Sequence, residues 1–169
     1  MANQDTHGTD DARMVNLAGT FALLLTDRMF QTASDVMDQG HMTAAALIQI
    51  GQYSGDSIDA LRHRLGLSHS AVVRLTDQLV EQGYIQKERT VKSDARVAVL
   101  TLTAQGKKQR SAVLAARRKT LEKLLKPLNG KELKLLGQLA EKILLAGVSS
   151  SIEAERVCRF CDTPAIQAS

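Results

Sequence analysis

Three groups of side chains in this sequence have the types and spacing for chemistry. The first is Ser68-His69-Ser70-Ala71, with Arg74 one helical turn further on. At the start of a helix, such hydroxyls, an imidazole and a methyl group can meet base edges of a nucleic acid. An arginine one turn along reaches a guanine edge or a phosphate; plain capping and solvent exposure is the alternative for His69 and Ser70. The second group is Lys92 with Asp94-Ala95-Arg96. A carboxylate two residues before a guanidinium can aim it at a narrow minor groove, or it can merely close a salt-bridged turn. The third is Cys158-Arg159-Phe160-Cys161. That spacing suits half of a tetrahedral zinc site or a dithiol redox pair, with two inert thiols as the alternative. His41, His63 and His69 have no metal-ligand spacing among themselves. There is no nucleophile elbow, phosphate-cradling glycine loop or paired-carboxylate arrangement, so an enzyme is not expected.

Hydrophobic periodicity defines the elements that must position these groups. Ile58, Leu61 and Leu65 recur at helical spacing, Gly66 breaks the pattern, and Val72, Leu75 and Leu79 resume it. Ser68 stands as the N-cap of the second helix, and Gly83 as its left-handed C-cap. The period then becomes two-fold. Val97, Val99 and Thr101 alternate with Ala98, Leu100 and Leu102, facing a strand at Tyr84–Lys87 across a polar tip from Arg89 to Arg96. Helix, tight turn, helix and basic-tipped hairpin, in that order, make a winged helix-turn-helix. Such a unit sets one helix in a major groove and its hairpin against an adjacent minor groove.

The flanks are helical. Residues 1–10 are polar and expected to be disordered. An amphipathic helix is predicted within 11–40, with Val15, Leu17, Phe21, Leu24, Leu25, Met29 and Val36 apolar and Gly40 ending it. Thr43 is read as the cap of the next helix, which opens a DNA-binding lobe over 41–103 in which Gln52–Asp56 is a loop and Ser57 a cap. Thr103 starts a long helix that ends near Pro127. Asn129 and Glu132 form a capping box for the last main helix, and the two helices fill 104–148. Residues 149–169 form a tail carrying the cysteine pair. The terminal helices have more leucine stripe than the small lobe needs, so they are expected to dimerise. The fold class is therefore mainly α with a small β-hairpin wing, a winged helix-turn-helix with N- and C-terminal dimerisation helices.

Composition agrees. The chain of 169 residues has 3% aromatic residues and no tryptophan, so its core must be aliphatic. The net charge is +4, unevenly spread. Arg62, Arg64, Arg74, Lys87, Arg89, Lys92, Arg96, Lys107, Lys108 and Arg110 make the middle basic, whereas the first 59 residues are acidic. That asymmetry suggests a face aimed at phosphates. No apolar run approaches the ~20 residues of a membrane span, and the N-terminus has no signal-peptide core. A soluble, cytoplasmic protein without membrane contact is expected.

The motif residues Leu67-Ser68, Val72, Arg74-Leu75, Asp77, Leu79, Gly83, Asp94-Ala95-Arg96 and Leu102-Thr103-Ala104-Gln105-Gly106 resemble the pattern of the MarR family of bacterial transcription regulators. The resemblance implies a homodimer that reads a pseudo-palindromic operator in double-stranded DNA, most often as a repressor. It also implies a small phenolic or lipophilic anion as effector, in a cleft bordered by the elements carrying Phe21, Arg28 and Met42. No cofactor is required in that reading. Two alternatives stay open. One is a redox- or zinc-responsive regulator using Cys158 and Cys161, and the other is a winged-helix protein-interaction module that does not bind DNA.

Overall fold

A computed structural model describes residues 5–92 and 95–162, and within them the side chains outside 5–9 and 89–97. Helix α1 spans Asp5–Met37, α2 His41–Gln52, α3 Ile58–Leu65, α4 His69–Glu81, α5 Ala104–Leu125, α6 Gly130–Gly147 and α7 Ser151–Val157. The strands are β1 Asp56–Ser57, β2 Ile85–Lys92 and β3 Ala95–Leu102. They form one antiparallel sheet in the order β1-β3-β2, with Asp56 opposite Leu100 and Ile85 opposite Leu102. The chain is thus mainly helical with a small wing, as the sequence implies.

The core is aliphatic and centred on α2, in which every residue from Thr43 to Ile50 is buried. Leu47 and Ile48 pack with Leu61 of α3, Val72 and Leu79 of α4, Ile85, Leu100 and Val113. Truncating any of these leucines to alanine would cost ~2–5 kcal/mol. Helices α1 and α5 lie side by side. Thr32 and Thr120 share a hydroxyl hydrogen bond of 2.9 Å, and Gln109 Nε2 donates to the Val36 carbonyl at 2.8 Å.

Several local expectations change. Helix α1 begins at Asp5, inside the stretch expected to be disordered. No proline precedes Asp11 to stop it, and Asp5, Asp10 and Asp11 favour a helix N-terminus. Asp38 (φ 52°), not Gly40, takes the left-handed turn after α1, which aspartate tolerates better than most residues. Thr43 is buried and caps nothing; α2 starts two residues earlier behind Gly40. Asp56 and Ser57, read as loop and cap, pair with β3 as a third strand, and Ser57 also caps α3 through the Ala60 amide. With strands on both sides, β3 buries Val99 as well as Leu100.

Residues 149–162 of the C-terminal stretch are not a loose tail. Ser150 caps α7 through the Glu153 amide, and Glu153 reaches back to the amide and hydroxyl of Ser149. Ala154, Cys158 and Phe160 are buried, so the segment folds back onto the lobe.

Candidate nucleic-acid interface

The geometry of α4 follows from its two ends. Gly66 (φ 65°) closes α3 and lets the chain turn, and the Leu67 amide donates to the Arg62 carbonyl at 3.1 Å. Ser68 Oγ then accepts from the Ala71 amide at 3.2 Å, which satisfies an amide that the first helical turn leaves unpaired. At the far end, Gly83 (φ 70°) and the Tyr84 amide, bonded to the Leu79 carbonyl at 2.9 Å, stop the helix. Val72, Leu75, Thr76 and Leu79 bury one face. His69, Ser70, Arg74, Asp77 and Gln78 stand on the other in solvent, with Ala71 half-buried between them. Ser70 Oγ lies 3.2 Å from Ser68 Oγ, so the two hydroxyls form a pair at the helix opening.

The wing is anchored to that helix. Lys87 Nζ of β2 donates to Asp77 Oδ1 of α4 at 2.5 Å. In the β2–β3 ladder Val91 stands opposite Arg96 and Lys92 opposite Ala95. Asp94 lies outside the described residues, and so do the side chains of Lys92 and Arg96.

The basic middle is less free than its composition suggests. Arg62 pairs with Asp59 at 2.7 Å and holds that carboxyl below the usual aspartate range. Lys87 is committed to Asp77, and Arg110 to Asp162 at 2.9 Å. Arg64 is only 8% exposed and pairs with Asp56 and Glu155. Of the described cations between Arg62 and Arg110, Arg74, Lys107 and Lys108 are exposed without an ion pair. Sequence counting could not separate these from the committed ones, because most of the acids involved come from other elements.

The remaining candidates are scattered. Phe21 lines an apolar cavity of ≈ 350 Å³ with Leu124, Leu128 and Leu139, between α1, the end of α5 and α6. Arg28 is exposed on α1, and Met42 packs against the core from α2; neither lines that cavity. Cys158 is buried at 4% exposure, Cys161 is half-buried, and no disulfide joins them. The Cys161 amide donates to the Cys158 carbonyl at 2.8 Å, so the pair spans a tight turn. Among the described residues no three His, Cys, Asp or Glu side chains cluster as a metal site. His41 stacks on Phe30 with centroids 3.9 Å apart and planes at 4°. Burial first, then the Arg159 charge, lowers its pKa. No described helix is long and apolar enough to cross a membrane.

Comparison with known proteins agrees with this architecture. A MarR family model matches residues 30–96. No curated protein matches significantly. Among solved structures, the multiple antibiotic-resistance repressor of Listeria monocytogenes is 20% identical, with 88% of this chain and 100% of that one covered and a TM-score of 0.61. YusO of Bacillus subtilis is also 20% identical, covering 87% and 99%, at a TM-score of 0.65. A Staphylococcus aureus MepR mutant bound to an oligodeoxyribonucleotide is 16% identical, covering 79% and 96%, at 0.58. The matched segment spans the helix-turn-helix and the start of the wing, so this part of the chain matches the MarR family of winged-helix transcription regulators, and the fold is that of the solved structures named above.

Proposed function

We propose that the protein is a homodimeric, sequence-specific DNA-binding repressor, released from its operator by a small phenolic or otherwise lipophilic ligand. One observation carries the DNA reading. Helix α4 is fixed at both ends and on its inner face, while His69, Ser70 and Arg74 project from its opening turns into solvent. That is the geometry of a helix that enters a major groove by its N-terminal end. The MepR structure with bound oligodeoxyribonucleotide supports the same use of the fold.

Apolar surface supports the dimer. Helix α6 buries none of its residues, and Leu133, Leu135, Leu139, Ile143 and Leu145 are exposed. Met14, Val15, Leu17, Leu23 and Leu24 are exposed along α1. This much exposed apolar surface on two helices suits an interface, and fully covering a leucine is worth ~1.5–3 kcal/mol. Two-fold pairing of these helices would carry two α4 helices to half-sites about 34 Å apart. The apolar cavity beside Phe21 would then lie within the paired helices and suit a lipophilic ligand.

Sedimentation of wild type and Leu139→Glu/Ile143→Glu tests the assembly. The wild type should be a dimer at micromolar concentration, and the variant a folded monomer without operator binding. A monomeric wild type that still protects an operator would contradict the reading. EDTA and thiol oxidants belong in parallel arms, because loss of binding there would shift the input to Cys158 and Cys161.

A further inference from the structure

The C-terminal segment touches the lobe at places that decide where α4 points. From α7, Arg156 Nε donates to the His63 carbonyl at 2.9 Å. His63 lies in the last turn of α3, and its carbonyl also accepts the Gly66 amide at 3.2 Å, so Arg156 is bonded to the cap itself. The same guanidinium passes beside Gly66, 3.5 Å from where a Cβ would stand, so it lies against the turn between α3 and α4. On the other flank, Arg64 of α3 is enclosed. It pairs with Asp56 of β1, stands 3.2 Å from Glu155 of α7, and lies 4.0 Å over the Tyr53 ring at the end of α2. Burial first, then the Glu155 charge, raises the Tyr53 pKa against the opposing charge of Arg64.

Beyond α7 the chain ties the lobe to the long helices. Phe160 is 5% exposed and packs 5.6 Å from Phe30 of α1. Arg159 lies 5.6 Å over Phe30, and Asp162 pairs with Arg110 of α5. One segment therefore grips α3 and also holds α1 and α5.

We propose that residues 151–162 are a clasp that sets the angle of the helix-turn-helix against the dimer helices, with Arg64, Glu155 and Arg156 as positioning residues for DNA reading. The proposal rests on the DNA-binding function proposed above. Helix α3 has only eight residues, too short to hold its own direction without tertiary contacts. Helix α4 has thirteen and is ~20 Å long. Arg74 stands on the order of 10 Å from the Gly66 turn, so a swing of about 10° there would move it by about 2 Å, well beyond the distance tolerance of a hydrogen bond. Reading a base edge requires that this swing be held, whereas attraction to phosphates does not.

The test is the full-length Glu155→Ala/Arg156→Ala variant beside Arg156→Lys, which can still donate to the His63 carbonyl. Three quantities are measured: affinity for the operator, affinity for unrelated duplex DNA, and hydrogen exchange of the α3 amides. We expect the double variant to remain dimeric and to bind unrelated DNA within about two-fold of wild type. Its operator affinity should fall at least ten-fold, and α3 amides should exchange at least ten-fold faster. Arg156→Lys should recover most of both effects. Operator selectivity at the wild-type level in the double variant overturns the proposal, even if exchange rises. Unchanged α3 exchange overturns it as well. If the wild type itself prefers no operator, the regulator reading fails, while the exchange measurement still decides whether α7 holds α3.

Discussion

Alanine at Gly106 would test how rigidly α5 is seated on the base of the wing. A Cβ there would stand 1.9 Å from the Tyr84 carbonyl oxygen and 2.9 Å from its carbon, where ordinary contact begins near 3.4 Å. The carbonyl is not free to withdraw. It accepts the Thr103 amide at 3.0 Å and the Thr103 hydroxyl at 3.2 Å, and that hydroxyl also caps α5 through the Gly106 amide at 3.0 Å. Relief of the clash must therefore strain or break the cap. Overpacking costs ~1–3 kcal/mol and a lost cap ~1 kcal/mol, while alanine returns up to about 1 kcal/mol of helix propensity. With the full propensity return the net loss is about 1–3 kcal/mol, or roughly 2–12 °C in Tm for a chain of this size. Thermal and urea denaturation at one fixed protomer concentration would measure it, because assembly couples to stability. Gly51→Ala provides the contrast. Its Cβ would meet Arg110 and Leu102 side chains at 2.5 and 2.7 Å, which can shift, so a smaller loss is expected. Wild-type stability in Gly106→Ala, or a larger loss in Gly51→Ala, would refute the reasoning.

Three further outcomes follow from the site. Ser68→Ala should lower stability by ~1 kcal/mol through the lost α4 cap and weaken operator binding with it, as paired melts and titrations would show. Arg96→Ala should weaken binding across many DNA sequences and reduce the salt slope by about one; an unchanged slope would remove Arg96 from the minor groove. His41 has a lowered pKa, so the unfolded chain takes its proton more readily than the folded one. The stability from neutral His41 is therefore fully present above its unfolded pKa of ~6.5 and is lost as pH falls from there through the lowered folded pKa. His41→Asn should flatten the loss of stability on acidification below about pH 6.5.

What could be read from the sequence was local. Ser68, Thr103 and the Asn129–Glu132 box announce helix starts through bonds that span two or three residues, and each is present. Gly66 and Gly83 sit where the backbone needs positive φ. Thr43 failed as a cap because helix α2 is fixed from outside, by burial on all sides and by His41 stacked on Phe30. Strand β1 is two residues long and exists only through β3, far along the chain. Arg64 counted as a phosphate-facing cation because its partners, Asp56 and Glu155, become neighbours only after folding. For the same reason the cysteine pair looked like part of a tail. Cys158 and Phe160 have few apolar neighbours in sequence, and their burial against the lobe is a tertiary fact. Arg74 shows the converse case, because its exposed place on α4 follows from the helical spacing of Val72, Leu75 and Leu79 alone.

The central claim is that α4 and the wing read a specific DNA site from a dimer. The most direct measurement is a footprint and titration of the purified protein on DNA from upstream of its own gene, across a salt series. The account predicts protection of a pseudo-palindrome on one face of the duplex, with half-sites about one helical turn apart. Affinity should fall steeply as salt rises and drop further with Ser70→Ala or Arg74→Ala. Weak binding without a footprint, insensitive to salt, from a confirmed dimer would contradict it and point instead to a winged-helix module that binds proteins.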